Sequence, residues 1–427
     1  MNLSHLKIDE LNKEAMALAR SRQDSLAKPP HSLGVLEDIS VRMAGITGKL
    51  YTPVDKRRVL IFAADNGIVE EGVSGCPQSV TLSQTINFTR GMTGVAVLAE
   101  HFHTELDVID VGINAEADCP GIRNEKIAMG TRNFAKEPAM SEEECIRAME
   151  VGIRAAERAK ADGVDILGIG EMGIGNTTTS SAVLSAILGL PAGETTSRGA
   201  GINDEAYRKK IRVIDEAIQR YFPEETIRPQ DSSVASLPQN DTLKGLPQND
   251  TLKELTQNDT LKELTQNDTL KELTQNDSLK ELTRNDSLDS RNDILHILSC
   301  VGGFDIAAMC GAFLGAAALR IPVVIDGFIS AVAALAAYRI DPLAKEYMFS
   351  SHASRESGYQ LAMNALGLAP MLLLSMRLGE GSGCPMAFEI ISAAEDVIKN
   401  MATFEEAAIN DDYLEGIRGN RKFLGEI

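Results

Sequence analysis

Two kinds of hydrophobic pattern divide the chain. Between residues 3 and 48, apolar positions recur at the spacing of three and four that is typical of helices, with a break at Lys28, Pro29 and Pro30. From residue 58 onward, short β-branched runs alternate with helix-like segments. These runs are 59–62, 106–109, 164–167 and 323–325. Strands that alternate with helices predict an α/β fold with a parallel sheet flanked by helices.

Each predicted strand ends in an acidic residue or in a glycine-rich turn. The acids are Asp65, Asp110, Glu171 and Asp326. Ligands of parallel sheets bind outside the carboxyl ends of the strands, so we expect these acids to gather at a ligand site. The alternative for Asp65, Asp110 and Asp326 is that each caps the helix that follows it.

Residues 237–290 are six copies of a nine-residue repeat, of which QNDTLKELT is typical. Nine residues turn a helix by about two and a half revolutions, so the leucines of successive copies would fall on opposite faces. The repeat contains no aromatic and no branched aliphatic residue other than leucine. We interpret about 229–291 as a solvated low-complexity insert. The alternative is a repeat array with a core of its own.

The charge balance argues against certain classes of binding partner. The 427 residues include 42 Lys and Arg against 61 Asp and Glu, a net charge of −19, which argues against nucleic acid or a membrane surface as the main partner. The six cysteines form no C-x-x-C pair and are interpreted as reduced thiols. Residues 1–18 mix apolar and charged side chains and lack the apolar core of a signal peptide, so we expect a cytoplasmic protein.

A glycine-rich loop follows the predicted strand 164–167. Residues 168–179 read GIGEMGIGNTTT and precede a helix-like run, an arrangement that favours a phosphate cradle at a helix N-terminus. One alternative is a tight turn with glycines for packing only. Another is a dinucleotide-dependent oxidoreductase, but Glu171 would repel a pyrophosphate. That class also needs an acid for the ribose at the end of a second strand about 20 residues on, where this sequence offers a long helix and Glu194 instead. Asn176 stands where a Walker loop has lysine.

A second glycine-rich turn, RLGEGSG at 377–383, carries Glu380 between two glycines. A carboxylate on such a turn beside apolar residues is suited to accept a proton. Without further context, an exposed surface turn is the alternative. His101 and His103 are two positions apart and would not share a helix face, so we predict no metal pair there.

Taken together and in this order, several segments resemble the nicotinate-nucleotide:dimethylbenzimidazole phosphoribosyltransferases. The resemblance covers nearly the whole chain except the repeat. The matching segments are 28–34, 62–67, 71–73 with 77–78, 87–91, 110–112, 170–178, 301–305, 325–328 and 377–383. Two positions depart from the family pattern, since His31 replaces a glycine and Cys76 stands where relatives often have serine.

The resemblance implies a set of site residues. The family's catalytic glutamate falls on Glu380, and Glu171 matches a second acid of its active site. The other implied residues are Gly173, Gly175, Asn176, Thr177 and Lys210 for the phosphoribosyl group, and Cys76, Gln84 and Leu378 for the base.

The resemblance also implies the reaction and the organisation of the chain. Nicotinate mononucleotide would transfer its phosphoribosyl group to dimethylbenzimidazole in cobalamin assembly, with neither metal nor redox cofactor, in a homodimer. We expect a Rossmann-like α/β domain at 49–342 and a smaller helical domain built from 1–48 and 343–427. The non-enzymatic alternative is a scaffold whose repeat binds partners, which leaves Glu171 and Glu380 unexplained.

Overall fold

A computed structural model describes residues 6–199, 201–223 and 291–414. The predicted insert at about 229–291 lies outside these residues, apart from Arg291, which begins a helix. The strands are β1 (Arg57–Ala64), β2 (Thr104–Gly112), β3 (Ile122–Asn124), β4 (Ile166–Met172), β5 (Val323–Ile325), β6 (Met348–His352) and β7 (Pro370–Leu372). They form one sheet in the order β3-β2-β1-β4-β5-β6-β7, and every neighbouring pair is parallel.

Helices occupy most of the remaining described chain. They are α1 (Lys13–Ser25), α2 (Val35–Thr47), α3 (Val80–Thr89), α4 (Gly94–His101), α5 (Glu142–Ala161), α6 (Asn176–Leu188), α7 (Ala192–Thr195), α8 (Asp204–Tyr221), α9 (Arg291–Val301), α10 (Phe304–Ala318), α11 (Phe328–Ile340), α12 (Ser357–Leu366) and α13 (Cys384–Asn400). Short 3-10 turns lie at Gly67–Glu71, Pro342–Tyr347 and Asp412–Leu414. The predicted α/β class with a parallel sheet is confirmed.

The four predicted strands lie in the middle of this sheet. β1 shows why: its residues from Val59 to Ala64 are all apolar and fully buried. Strands covered on both faces by helices contain such continuous apolar runs. The sequence pattern missed β3, β6 and β7, which are three to five residues long and lie toward the two edges.

Helix α10 is buried along its whole length and packs closely against α5. Glycines make this approach possible, since a side chain at Gly152 or Gly311 would overlap the backbone of the other helix. Such a helix is apolar all round because no side of it meets water. Among the residues that the structure describes, no helix is both long and apolar enough to span a membrane.

Helices from both ends of the chain pack on each other. Ala15, Ala19, Val41, Ala44 and Ile398 form a small apolar cluster between α1, α2 and α13. The sheet, however, continues past residue 342, because β6 and β7 belong to it. The expected boundary at 342 therefore does not coincide with an edge of the sheet, and the division into two domains stays a prediction.

The order of the strands fixes where a ligand site can form. From β1 the chain proceeds to β2 and β3 on one side, and from β4 it proceeds to β5, β6 and β7 on the other side. Loops that leave β1 and β4 therefore diverge and open a crevice at the carboxyl ends of these two strands.

Candidate active site

A cavity of about 670 Å³ opens at this edge of the sheet. Its wall combines the loop after β4, the ends of β5 and β6 and the turn 377–380. The polar side chains that line it include Gln84, Glu171, Asn176, Asp326, His352 and Glu380. Gln84 and Glu380, which are 296 positions apart in the chain, thus share one cavity.

The glycine-rich loop forms one end of the cavity. Gly173, Gly175, Asn176 and Thr177 all line it, and α6 begins at Asn176. A Cβ atom at Gly173 would lie 2.5 Å from the carbonyl oxygen of Ala64, so the loop can approach β1 only with glycine here. Because the N-terminal turn of α6 borders the cavity, the positive end of its dipole favours an anion there.

Lys210 stands behind this loop and is not among the residues of the cavity wall. It projects from α8, is 1% exposed, and donates hydrogen bonds from Nζ to Thr177 Oγ1 at 2.9 Å and to the carbonyl of Ser197 at 3.1 Å. Burial lowers the pKa of Lys210 to about 8, while the charge of Glu356 acts in the opposite direction. The lysine therefore places a positive charge beside the cradle at neutral pH.

Glu380 lines the same cavity on a strained turn. Its φ is +66°, between Gly379 at +82° and Gly381 at +84°. Left-handed backbone is unfavourable for a glutamate and persists only where its surroundings impose it. A Cβ atom at Gly170 would lie 2.6 Å from the carbonyl oxygen of Glu380, so the turn rests directly on β4.

Both carboxylate oxygens of Glu380 accept hydrogen bonds from N–H groups. Gln84 donates from Nε2 to Oε1 at 2.7 Å, and the backbone N–H of Val95 donates to Oε2 at 3.2 Å. Val95 is in the first turn of α4, whose positive end therefore points at the carboxylate. Glu380 is 6% exposed, so these contacts take the place of water.

Asp326 holds the Glu380 turn in place. Its two carboxylate oxygens accept hydrogen bonds from the backbone N–H of Gly381 at 3.0 Å and of Gly383 at 2.7 Å. Burial raises the pKa of Asp326 to about 7, against these backbone donors. The alternative of a helix cap is thus wrong for Asp326.

Asp65 and Asp110 do not line the cavity, contrary to the expectation that all four acids would gather there. Asp65 Oδ2 accepts the N–H of Asn114 at 2.8 Å, and Asp110 pairs with Lys126 at 2.9 Å. Asp110 also binds the backbone N–H groups just after β2. Both carboxylates thus fasten the chain that follows β2.

Glu171 forms a buried cluster with Asn176 and Asp305. The Nδ2 group of Asn176 donates to Glu171 Oε2 and, at 3.1 Å, to Asp305 Oδ2. Burial raises the pKa of Glu171 to about 8, and the charge of Asp305 adds to this shift. Burial likewise raises the pKa of Asp305 to about 7. At neutral pH, Glu171 therefore carries its proton.

Sequence reasoning did not identify Asp305 as a site residue. It lies in the segment 301–305, at the start of α10, and is 129 positions from Asn176. The glycine pair at 302–303 before this acid is the one local signal, since a side chain at Gly303 would collide with Asp305 and Asn66.

The predicted base-binding residues have different positions. Gln84 and Leu378 line the cavity, and Leu378 is 57% exposed at its mouth. Cys76 is not in the wall, although its neighbours Ser74 and Gly75 are. The N–H of Cys76 donates to Ser74 Oγ at 3.3 Å.

A family model described as phosphoribosyltransferase matches residues 8–237 and 277–409 of this chain. This match covers well over half of the sequence. The chain belongs to this family. The unmatched interval between the two parts falls within the nine-residue repeat, as expected for an insert in a phosphoribosyltransferase.

Individual proteins of known name are similar to this chain over nearly its whole length. The chain is 44% identical to the nicotinate-nucleotide–dimethylbenzimidazole phosphoribosyltransferase of Clostridium perfringens, over 98% of this chain and 97% of the relative. It is 42% identical to the protein of that name from Acetivibrio thermocellus, over 94% and 96%. The crystal structure of a Thermus thermophilus protein of that name has a TM-score of 0.74 and 32% identity, over 94% of this chain and 99% of the other.

Proposed function

We propose that this protein transfers the phosphoribosyl group of nicotinate mononucleotide to 5,6-dimethylbenzimidazole. The products are α-ribazole 5′-phosphate and nicotinate, and the reaction belongs to assembly of the cobalamin nucleotide loop. The observation that carries the proposal is that one cavity holds both an anion cradle and a buried carboxylate. The names of the relatives supply the two substrates.

The cradle end suits the phosphate of the nucleotide. The first turn of α6 supplies the positive end of the helix dipole, and Thr177 and Lys210 supply a hydroxyl and a positive charge. Glu171 does not oppose this anion, because its carboxyl is protonated at neutral pH. The repulsion anticipated from the sequence is thereby removed. Fixing the ribose in this way favours in-line attack at the anomeric carbon.

Glu380, on the turn 377–383, is the proton acceptor in the cavity. As one nitrogen of dimethylbenzimidazole attacks the anomeric carbon, the other loses its proton to the Glu380 carboxylate. The bond to the pyridinium nitrogen breaks, its electron pair stays on that nitrogen, and nicotinate leaves with a neutral ring nitrogen. Attack opposite the leaving group inverts the centre, so a β-nucleotide gives an α-product. Gln84 and the N–H of Val95 keep the carboxylate in place.

The homodimer and the cytoplasmic location are further parts of this proposal. β7 is an edge strand, and Leu373 and Leu374, which follow it, are 81% and 48% exposed. Together with Leu378 they form an apolar surface beside the cavity mouth that a second copy of the chain would cover. All six cysteines are free thiols, as in proteins of a reducing compartment. Sedimentation of the purified protein tests the dimer.

The direct test is product analysis. The purified protein is mixed with nicotinate mononucleotide and dimethylbenzimidazole, and nicotinate and α-ribazole 5′-phosphate are separated by chromatography. We expect both products in equal amounts and none of the ribotide when the base is omitted. Release of nicotinate without the ribotide would indicate hydrolysis and contradict the proposal.

A further inference from the structure

One polar group in the cavity wall has no role in the mechanism above. His352 ends β6, lines the cavity and is 1% exposed. Its Nε2 atom has no hydrogen-bond partner among the described residues. A buried ring nitrogen without a partner is costly unless a ligand satisfies it.

The surroundings of the other ring nitrogen determine which tautomer is present. Ser351 Oγ lies 3.0 Å from His352 Nδ1 and also donates to the carbonyl oxygen of Asp326 at 3.0 Å. A hydroxyl has one proton, so Ser351 can only accept a hydrogen bond from the ring. Asp326 Oδ1, 3.8 Å from Nδ1, also favours a proton at this nitrogen.

The ring is therefore neutral with its proton on Nδ1. Burial lowers the pKa of His352, which disfavours the imidazolium form at neutral pH. In this tautomer Nε2 carries a lone pair and can only accept a hydrogen bond.

The space beside Nε2 belongs to the cavity. A Cβ atom at Gly327 would lie 3.9 Å from Nε2 and 3.9 Å from Ser354 Oγ, and both Gly327 and Ser354 line the cavity. The oxygens of a phosphate dianion can only accept hydrogen bonds, so they cannot pair with the lone pair on Nε2. A sugar hydroxyl can donate a hydrogen bond to it. The nucleotide therefore meets Nε2 through its ribose.

We propose that His352 binds the phosphoribosyl substrate by accepting a hydrogen bond at Nε2 from a ribose hydroxyl. This inference rests on the proposed function, since it assigns a residue to that substrate. His352 then positions the sugar between the cradle and Glu380, and it takes no proton in the reaction.

The test combines altered protein with altered substrate. The value of kcat/KM is measured for nicotinate mononucleotide and for its 2′-deoxy and 3′-deoxy analogues, with wild type, His352→Asn and His352→Gln. The asparagine side chain reaches the Nδ1 position only, whereas glutamine places an amide near Nε2. Circular dichroism checks the folding of each variant.

We expect wild type to lose roughly 10- to 100-fold with one of the two analogues. His352→Asn should lose a similar factor with the normal nucleotide and nothing further with that analogue, and His352→Gln should recover part of the loss. The deoxy analogues differ from the normal nucleotide in intrinsic reactivity. This difference cancels when wild type and variant are compared with the same analogue. The KM for dimethylbenzimidazole should stay within about twofold of wild type.

Two outcomes overturn the assignment of His352. One is a wild type that uses all three nucleotides equally, a result that requires no variant to fold. The other is a His352→Asn variant that discriminates among the nucleotides as strongly as wild type. Failure of wild type to release nicotinate from the normal nucleotide would instead refute the proposed function itself.

Discussion

Two glutamates share one cavity, Glu171 near the end of β4 and Glu380 on the turn 377–383, and their surroundings make them chemically different. Glu380 and Glu171 are almost equally buried, at 6% and 7% exposure. Glu380 receives N–H donors on both carboxylate oxygens, one of them from the positive end of a helix. Glu171 also receives N–H donors on both oxygens, from Asn176 and, at 3.4 Å, from the backbone of Glu380, but it faces Asp305 across Asn176. Burial, with the charge of this neighbour, raises the pKa of Glu171 to about 8.

Exposure alone therefore does not determine what a buried carboxyl does. Both carboxyls have oriented donors, so the difference lies in the second acid beside Glu171, which keeps a carboxyl in the same apolar space protonated. In the proposed function, Glu380 accepts the proton of the base and Glu171 presents an uncharged acid to the phosphoribosyl group.

The largest test of this comparison is Glu380→Gln. Glutamine keeps the shape of the turn but cannot accept the proton, so kcat should fall by roughly 100-fold or more. Glu100→Gln, on the exposed side of α4, is the matched control and should keep wild-type turnover. Steady-state release of nicotinate measures both. Near-normal turnover of the Glu380 variant would move the role of base to another group.

Lys210→Ala tests the phosphate end. Losing this buried charge should raise the KM for nicotinate mononucleotide by roughly 10- to 100-fold and leave the KM for the base nearly unchanged. Lys209→Ala removes a more exposed lysine, paired with Glu71 at 3.4 Å, and should have little effect. Equal effects on both substrates would contradict a phosphate role.

The pH profile sharpens the same test. Because burial lowers the pKa of Lys210 to about 8, wild-type kcat/KM for the nucleotide should decline as the pH rises through 8. In the alanine variant this decline should be weaker but not absent, because Glu171, whose pKa is also about 8, still ionises in this range. Initial rates between pH 6 and 9 at fixed ionic strength provide the comparison.

Glu171→Gln tests the protonated carboxyl through stability. The folded protein retains the Glu171 proton up to about pH 8, whereas the pKa of a free glutamate is 4.5. Between these pH values the unfolded chain loses the Glu171 proton and the folded protein keeps it, so the free energy of unfolding falls as the pH rises. Glutamine does not titrate, so the Tm of the variant relative to wild type should rise from pH 5 to pH 8, by roughly 3 to 10 °C. A difference independent of pH would show that Glu171 is already charged.

The smallest effect is expected from the repeat. Replacing residues 237–290 by a short Gly-Ser linker should leave kcat and Tm nearly unchanged, because the segment has too few apolar residues to bury a core. A version with the same residues in scrambled order is the control for composition. Loss of folding on replacement would show that the repeat is part of the fold.

Sequence reasoning identified the central strands and both glycine-rich turns because these signals are local. A run such as 59–64 contains only apolar residues, and Gly173 is required where two backbones meet. It missed β6, whose sequence MFSSH mixes apolar and polar residues although all five are buried. It therefore also missed His352 at the end of that strand. Asp65 and Asp110 carried the same signal as Asp326 yet fasten loops.

The sequence by itself determined the α/β class, the family and the residue types of the two turns. These properties depend on periodicity and on motifs within a few residues of one another. Only the tertiary structure decided which of the two acids has a second acid as its neighbour and is held protonated. Gln84 meets Glu380 across 296 positions, and Asp305 meets Asn176 across 129. The charge on a carboxyl depends on burial and on neighbours within a few ångströms, and folding brings those neighbours from distant parts of the chain.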